Sequence, residues 1–559
     1  MFRKVLYSAF SLLGERQVKR FMQASTEPRA AQQAQLMSII SSNKSSQFGR
    51  QHDFSSIKDI RDFQSAVPIA DYEQMRPWVE RATGGQSAVL TSDDPVMFAT
   101  TSGTTAQPKY IPITKGYIEE FRRASVVSGY FLLKNFPQLV NGTTLSVVSP
   151  AEEGRTPGGT PYGAISGQLF RQEPFLIRKY ISPIPYDVFL IKDYETKYYT
   201  LLRLALALPV SVFYTLNPST IALLCRRLQK YAPDLVRDIR DGTITPPTPL
   251  SQTTLAAVKH FLSPDPARAA QLARLAEQGQ FVPHKLWPTL QVVSCWTKAA
   301  ASFYLADFPE FFGKVPVCDI TYGASEGRGT VFIGPNQQML ALLCHFFEFI
   351  AEEEIDSPQP QVLLADQLEL GRNYFILFTT SGGLYRYNIN DVVKVVGFHN
   401  ATPLLEFQYK GGNICSFTGE KITELQVTRA MSEAMAQTGV QTRFFTVLPE
   451  FRPNPHYEVW IEPLDQLPPQ TVSTLTSAFD EILGKLNVEY KTKRDSLRLD
   501  DVSARLIAPG TYESFRKHLV SAGVADAQIK VSHLNPKQET RDYFQQALIS
   551  EGSTAWATA

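Results

Sequence analysis

Apolar and polar positions follow two periods along the chain. Residues 1–90 repeat their apolar positions at helical spacing, which predicts a run of amphipathic helices without evident chemistry. The pattern changes at Val96, where the apolar stretch VMFAT (96–100) runs into a polar loop rich in Gly, Ser and Thr. TLSVVSP (144–150), PVSVFYTL (209–216), LQVVSCW (290–296) and VPVCDITYG (315–323) are further strand candidates, separated by helical patterns. Strands alternating with helices predict an α/β fold with a largely parallel sheet. A second strand-rich region follows, with FFEFIA (346–351), QVLLADQLEL (361–370), YFILFTT (374–380) and DVVKVVGF (391–398). There are no internal repeats and no long low-complexity tracts.

The glycine pair Gly411–Gly412, inside YKGGNICSFTGEKI (409–422), predicts a boundary between residues 1–412 and 413–559. Beyond it a helix should begin near Thr423, with Gln426 placed for a capping box. FFTVLP (444–449) and HYEVWIEP (456–463) read as two strands joined across an RPNP turn. Val472, Leu475, Phe479, Ile482, Leu483 and Leu486 recur at helical spacing. A strand near ARLIA (504–508) and a helix near TYESFRKHL (511–519) complete a small α+β unit. It holds few candidate catalytic residues, as expected of a mobile lid.

Composition narrows the classes. The chain has 559 residues, is 43% hydrophobic, and carries 55 Lys and Arg against 54 acids for a net charge of +1. That apolar content excludes disorder as the main character. The balanced charge offers no footprint for nucleic acid. The five cysteines are odd in number and show no CxxC spacing, so neither a disulfide framework nor a zinc site is indicated. A cytoplasmic monomer is expected. The amino-terminal MFRKVLYSAFSLLGER has a basic flank and a short apolar run but no small-x-small cleavage site. Residues 198–216 form the longest apolar stretch, yet Arg203 and Pro209 interrupt it. It reads as a core helix followed by a buried strand, and no membrane span is predicted.

Three stretches carry the candidate chemistry. In FATTSGTTAQPKYIP (98–112), Thr100, Thr101, Ser102, Gly103, Thr104 and Thr105 form a hydroxyl-dense loop directly after a strand, with Lys109 close behind. Backbone N–H groups and hydroxyls in such a loop make an anion site, and lysine adds a point charge. The GxxxxGK[ST] phosphate loop is absent, and a Ser/Thr-rich loop by itself is most often a solvated turn. ITYGASEG (320–327) ends an apolar run where ligands bind in open α/β sheets. There Glu326 could hold Mg²⁺ through one carboxylate, with nucleotide phosphates completing the shell. Its commoner role is a surface acid or a helix cap. In GLYRYNINDVVKVVGF (383–398), Asp391 could accept from two ribose hydroxyls, or serve only as a turn residue. Arg386 beside it reads most simply as a surface or ion-pair arginine.

Taken in order, TSGTTAQPK, YGASE and YRYNIND, followed by a GEK segment, resemble the adenylate-forming superfamily of acyl-CoA synthetases, luciferases and peptide-synthetase adenylation domains. The resemblance is closest to its auxin-responsive branch, the plant-type acyl acid–amido synthetases (the Gretchen Hagen family) and their bacterial relatives. KYIPIT, WPTLQVVSCWTKAAASFYL, FFEFI, GLYRYNINDVV, FTGEKITELQV and NVEYKTKRD extend it over nearly the whole chain. It implies a large amino-terminal α/β domain with parallel or mixed sheets and a small mobile carboxyl-terminal domain. By the same resemblance, Thr101 and the loop from Ser102 to Thr105 would hold the β- and γ-phosphates of ATP near Lys109. Tyr322, Gly323, Ala324 and Ser325 would line adenine and the α-phosphate, Glu326 would bind Mg²⁺, and Asp391 would hold the ribose. Lys410, Gly411 and Gly412 would form the hinge. The acyl pocket would lie near Cys295, Trp296 and Thr297, with Arg123 a weaker candidate for meeting a carboxylate.

The chain departs from the family pattern in three places. Ala106 replaces a loop glycine, and Asn390 stands where glycine precedes the aspartate. QIKVSHLNPK (528–537) offers Lys530 as the carboxyl-terminal catalytic lysine, but Ser532-His533 replaces the family's Pro-Arg, and Lys537 is the runner-up. The activity implied is adenylation of a carboxylic acid by ATP, then acyl transfer to an amine, an amino acid being the expected acceptor. An acyl-CoA ligase using the same intermediate and a non-catalytic binding protein of the same fold are the alternatives.

Overall fold

The computed structural model describes residues 2–101, 109–298, 304–355, 357–411, 414–415, 420, 422–450, 455–495, 499–522, 529, 532–535 and 538–548. It divides into two compact units, Met1–Ile389 with Val393–Phe407, and Asn390–Val392 with Gln408–Ala559.

The first unit opens with the expected helices, α1 (Phe2–Ala24), α2 (Pro28–Asn43), α3 (Gln47–Gln51), α4 (Ile60–Ala66) and α5 (Tyr72–Thr83). Local chemistry sets their starts. Asp59 accepts from the Asp62 N–H ahead of α4, and Asp71 and Gln74 form a reciprocal capping box on α5. β1 (Met97–Thr101) and β2 (Lys109–Ile113) then form an antiparallel pair with Thr101 opposite Lys109. Helix α6 (Lys115–Asn135) follows, its first turn closed by Thr114 accepting from the Tyr117 N–H. β3 (Thr143–Ser146) enters a second sheet, while β4 (Gly154–Arg155) and β5 (Pro161–Gly163) return to the first, β5 parallel to β1.

β6 (Val210–Tyr214), β7 (Val292–Cys295) and β8 (Val317–Asp319) complete that second sheet in the order β3-β6-β7-β8, every pair parallel. The long apolar stretch divides as expected into the helix Tyr194–Leu206, buried from Thr196 onward, and strand β6. Arg203 is tolerated inside because its guanidinium donates to the carbonyls of Thr243 and Asp238, both at 2.9 Å.

The later strand-rich region forms a sheet of its own. β9 (Thr330–Gly334), β10 (Gln337–Leu340), β11 (Phe346–Ala351), β12 (Val362–Leu363), β13 (Asn373–Thr379), β14 (Tyr387–His399) and β15 (Thr402–Lys410) form one sheet in the order β12-β11-β13-β14-β15-β10-β9. β10 pairs antiparallel with β9 and β15, as β11 does with β12 and β13. Connection length is the cause. Only Pro335 and Asn336 separate β9 from β10, Asn336 taking the left-handed conformation at φ 58°, and a parallel crossover needs a dozen residues or more.

In the second unit β16 (Ile414–Cys415) pairs with β17 (Ile422–Thr423). The helix Glu424–Thr438 begins at the predicted capping box of Thr423 and Gln426 and ends at Gly439, whose φ is 69°. β18 (Thr442–Glu450) and β19 (His456–Pro463) are antiparallel, and β20 (Ser503–Leu506) runs parallel to β19. The helices Pro469–Leu486 and Thr511–Ser521 stand where the periodicity places them. No helix among the described residues is long and apolar enough to cross a membrane.

Candidate active site

Ser102, Gly103, Thr104, Thr105 and Ala106 lie outside the described residues, as does the side chain of Thr101. The strands on either side of them are described. Lys109 places its Nζ 5.1 Å from the centre of the Tyr72 ring. The Tyr72 hydroxyl in turn accepts from the Tyr110 N–H at 2.7 Å, so α5 fixes the strand that carries the lysine.

The segment from Tyr322 to Arg328 leaves the carboxyl end of β8 and is pinned from several sides. Tyr322 donates its N–H to Thr330 Oγ1 at 2.8 Å, and its carbonyl accepts from Gly329 at 3.0 Å and Thr330 at 3.1 Å. Its ring stacks on Phe407 at 5.6 Å and 12°. Position 329 must be glycine, because a Cβ there would lie 2.3 Å from the Tyr322 ring. Ala324 donates to the Gly327 carbonyl at 2.9 Å, leaving Ser325 and Glu326 at the tip of a tight turn.

Helix α6 runs alongside in matching register. The Tyr117 hydroxyl donates to the Ser325 carbonyl at 2.8 Å, the Phe121 ring lies 4.5 Å from the Arg328 guanidinium, and Ser128 Oγ accepts from the Phe332 N–H at 3.1 Å. Burial, then the charges of Glu326 and Glu120, hold the Tyr117 phenol well above its ordinary pKa, so it remains a donor. His345 adds a second tie. Its Nε2 accepts from the Arg328 N–H at 3.0 Å, which leaves Nδ1 as the protonated nitrogen donating to Glu120 Oε2 at 3.0 Å. Gln35 and Ser381 also donate to Glu120. A buried polar network satisfied in this way makes the turn rigid.

Glu326 is 6% exposed, which removes the surface-acid alternative. Among the described residues no three His, Cys, Asp or Glu side chains cluster as a metal cage. A single buried carboxylate suits Mg²⁺, which draws most of its shell from phosphates and water.

Trp296 and Thr297 follow β7 at the same edge of the parallel sheet. Trp296 donates its N–H to the Leu216 carbonyl at 3.0 Å, and Thr297 donates its N–H to Asp319 Oδ1 at 3.1 Å. Burial pushes the Asp319 carboxyl up to about 6 despite that hydrogen bond. Lys298 beside them pairs with Glu406 at 2.7 Å. Arg123 stands elsewhere, exposed on α6 in a surface groove of about 290 Å³ with Gln17, Glu119, Arg122 and Val126.

Asp391 and Lys410 belong to the second unit and meet there. Lys410 Nζ lies 3.1 Å from Asp391 Oδ1, and Asp391 is 6% exposed. Asn390 has φ 64°, the left-handed conformation that asparagine tolerates in place of glycine. The neighbouring Arg386 is a buried ion-pair arginine. It sits 3.0 Å from Glu348 and donates to the carbonyls of Gln64 and Val67.

Lys530 and Lys537 lie outside the described residues, but the substituted Ser532-His533 does not. His533 is wholly buried, its ring stacked on Phe445 at 4.3 Å and its Nδ1 donating to the Phe445 carbonyl at 2.7 Å. Burial pushes its pKa down to about 4.

The residues that motif reading passed over are Glu120, His345 and Arg328. Only Arg328 left a mark in the sequence, a lone cation between Gly327 and Gly329 running into an apolar strand.

Family profiles match the chain in three blocks, the GH3 family N-terminal domain over residues 17–317, the central domain over 338–410 and the C-terminal domain over 425–539. The chain belongs to the GH3 family. It is 25% identical to jasmonoyl–L-amino acid synthetase JAR4 of Nicotiana attenuata, over 92% of each chain. It is 23% identical to indole-3-acetic acid-amido synthetase GH3.3 of Arabidopsis thaliana, over 88% of this chain and 87% of that one. Among solved structures, the GH3.15 acyl acid amido synthetase superposes with a TM-score of 0.84 at 20% identity, over 95% of this chain and 96% of that one. The family read from the motifs and the α/β fold class, with its large amino-terminal and smaller carboxyl-terminal parts, are borne out. The ligase reading agrees with the names these GH3 relatives carry.

Proposed function

We propose that the chain is an ATP-dependent ligase that adenylates a carboxylic acid and passes the acyl group to an amine, with an amino acid as the acceptor. The observation that carries this reading is the buried Glu326 carboxylate on a rigid turn at the carboxyl edge of the parallel sheet, in a chain of the GH3 family. Jasmonate and indole-3-acetate conjugation, named for the relatives, indicate the kind of acid to try first.

The chemistry assigns a task to each residue. A carboxylate oxygen attacks the α-phosphorus of ATP and pyrophosphate leaves. The amine then attacks the acyl carbon of the mixed anhydride, AMP leaves, and an amide forms. Lys109 and the hydroxyl-rich loop from Thr101 to Thr105 compensate charge on the departing pyrophosphate. Glu326 would hold Mg²⁺, which neutralises phosphate charge when bound. Tyr322, Gly323, Ala324 and Ser325 shape the adenine side, and Asp391, with Lys410 beside it, receives the ribose hydroxyls. Trp296 and Thr297 border the acid, with Arg123 an outer candidate. Residues 1–412 carry ATP and acid binding, and residues 413–559 supply a lid with Lys530. A cytoplasmic setting is supported by the five buried free thiols.

ATP–pyrophosphate exchange over a panel of carboxylic acids tests the first half-reaction, and mass detection of amides from the common amino acids tests the second. We expect exchange with at least one acid, and an amide from that acid. Exchange without any amide but with an acyl-CoA product would move the protein to the thiol-acceptor class. No exchange with any acid would favour a binding protein.

A further inference from the structure

Arg328 is a buried cation with no anionic partner among the described residues. It is 9% exposed, and no carboxylate among the described residues lies within ion-pair distance of its guanidinium. One terminal nitrogen donates to Thr321 Oγ1, the other reaches Ser125 Oγ at 3.4 Å, and Nε has no partner among the described residues. The ionisable groups that act on its charge are two phenols and a thiol, Tyr214, Tyr117 and Cys344. The contrast with Arg386 is direct. That arginine, 5% exposed, is matched by Glu348 and two carbonyls. Burying a charge is costly unless it is paired, and the Phe121 face and two hydroxyls recover only part of the cost. The location adds the second half. Thr321 follows the carboxyl end of β8, Tyr214 ends β6, and Glu326 is two residues away, so the guanidinium stands at the sheet edge where the acid must be activated.

We propose that Arg328 is the residue that binds the reacting carboxylate of the acyl acid, with Thr321 and Ser125 orienting its guanidinium. This rests on the ligase reading for the word reacting, though not for the presence of a carboxylate site. Arginine suits the task because its planar fork matches a carboxylate in two parallel hydrogen bonds. An acid held in this way keeps its charge until the α-phosphorus is in place. Adenylation then converts the carboxylate to the acyl half of a mixed anhydride, whose carbonyl carries no charge of its own, which weakens the grip on the acyl group before the amine arrives.

The experiment compares benzoate, phenylacetate, indole-3-acetate and octanoate with their primary amides, by calorimetric binding to the full chain and by acid-dependent pyrophosphate exchange. In the wild type, carboxylates that bind should do so at least 10-fold more tightly than their amides. Arg328→Met should raise the KM for acid about 10- to 100-fold, the effect of losing a charged hydrogen-bonding partner, and leave the KM for ATP within about 2-fold. Arg328→Lys should recover part of the acid affinity, which a packing role for the arginine would not predict. Thr321→Val offers a milder lesion should Arg328→Met fold poorly, and should raise acid KM in the same direction. An acid KM unchanged in Arg328→Met, or an equal fall in affinity for the carboxylates and for their primary amides, overturns the assignment. Carboxylate binding that depends on Arg328 in a wild type without exchange would remove the ligase reading and leave the anion site standing.

Discussion

Glu326 and Arg386 are both buried charged residues beside a motif, and their surroundings give them opposite meanings. Arg386 is satisfied by Glu348, Gln64 and Val67, so it holds the first unit together around a backbone turn with φ 46°. The ion-pair alternative read for it from the sequence stands, but its partner could not be named, because Glu348 lies 38 residues away. Glu326 sits at the tip of a tight turn tied through the carbonyls of Ser325 and Gly327. Glu326→Gln keeps the shape and removes the charge. We expect pyrophosphate exchange to fall about 100- to 1,000-fold, the usual effect of deleting one electrostatic contact to a transition state, with little change in melting temperature. The same rate in the variant and the wild type would end the metal assignment. Asn390 shows the opposite case of legibility. It replaces a family glycine, asparagine tolerates the left-handed region, and φ there is 64°.

Elements were legible where the signal was local. The capping box at Thr423, the periodic helix Pro469–Leu486 and the alternation in β18 and β19 all stand as read, since each depends on neighbours within a few residues. Strand direction in the later sheet was not legible, because it follows from which distant strands pair. The segment around His533 combines both situations. Its sequence departs from the family's Pro-Arg, and the fold uses the imidazole as a buried stack on Phe445 in β18, with Thr446 Oγ1 donating to the Ser532 carbonyl at 2.8 Å. A pH dependence follows. With the folded pKa near 4 and the ordinary value 6.5, the unfolded chain binds a proton between those values that the folded chain does not. Stability is therefore complete above about 6.5 and declines as pH falls towards 4, by about 3 kcal/mol from this one group. Hydrogen exchange at the β18 amides, corrected for intrinsic rates, should show protection lost over that window in the wild type and a flatter profile in His533→Phe. Equal slopes in the two proteins would mean the imidazole does not couple to folding.

At the scale of the whole molecule, the glycine pair Gly411–Gly412 predicted a boundary, while the compact units part between Phe407 and Gln408 and assign Asn390–Val392 to the second unit. No linear reading could do this, since the link is a contact between Asp391 and Lys410, 19 residues apart. The division makes the second unit's share of the chemistry testable by half-reaction. Lys530 is the candidate for compensating charge while pyrophosphate departs. That charge develops only in adenylation, because the departing group in the second step is AMP. Lys530→Ala should therefore slow pyrophosphate exchange by about 100-fold or more, as loss of one transition-state charge contact does. Aminolysis of a chemically prepared acyl-adenylate should stay near the wild-type rate in the same protein. Lys537→Ala serves as the control, and a loss found only there would move the role seven residues along the chain. Equal loss of both half-reactions in Lys530→Ala, with altered melting, would show that the residue supports the fold of the second unit and takes no part in the transfer.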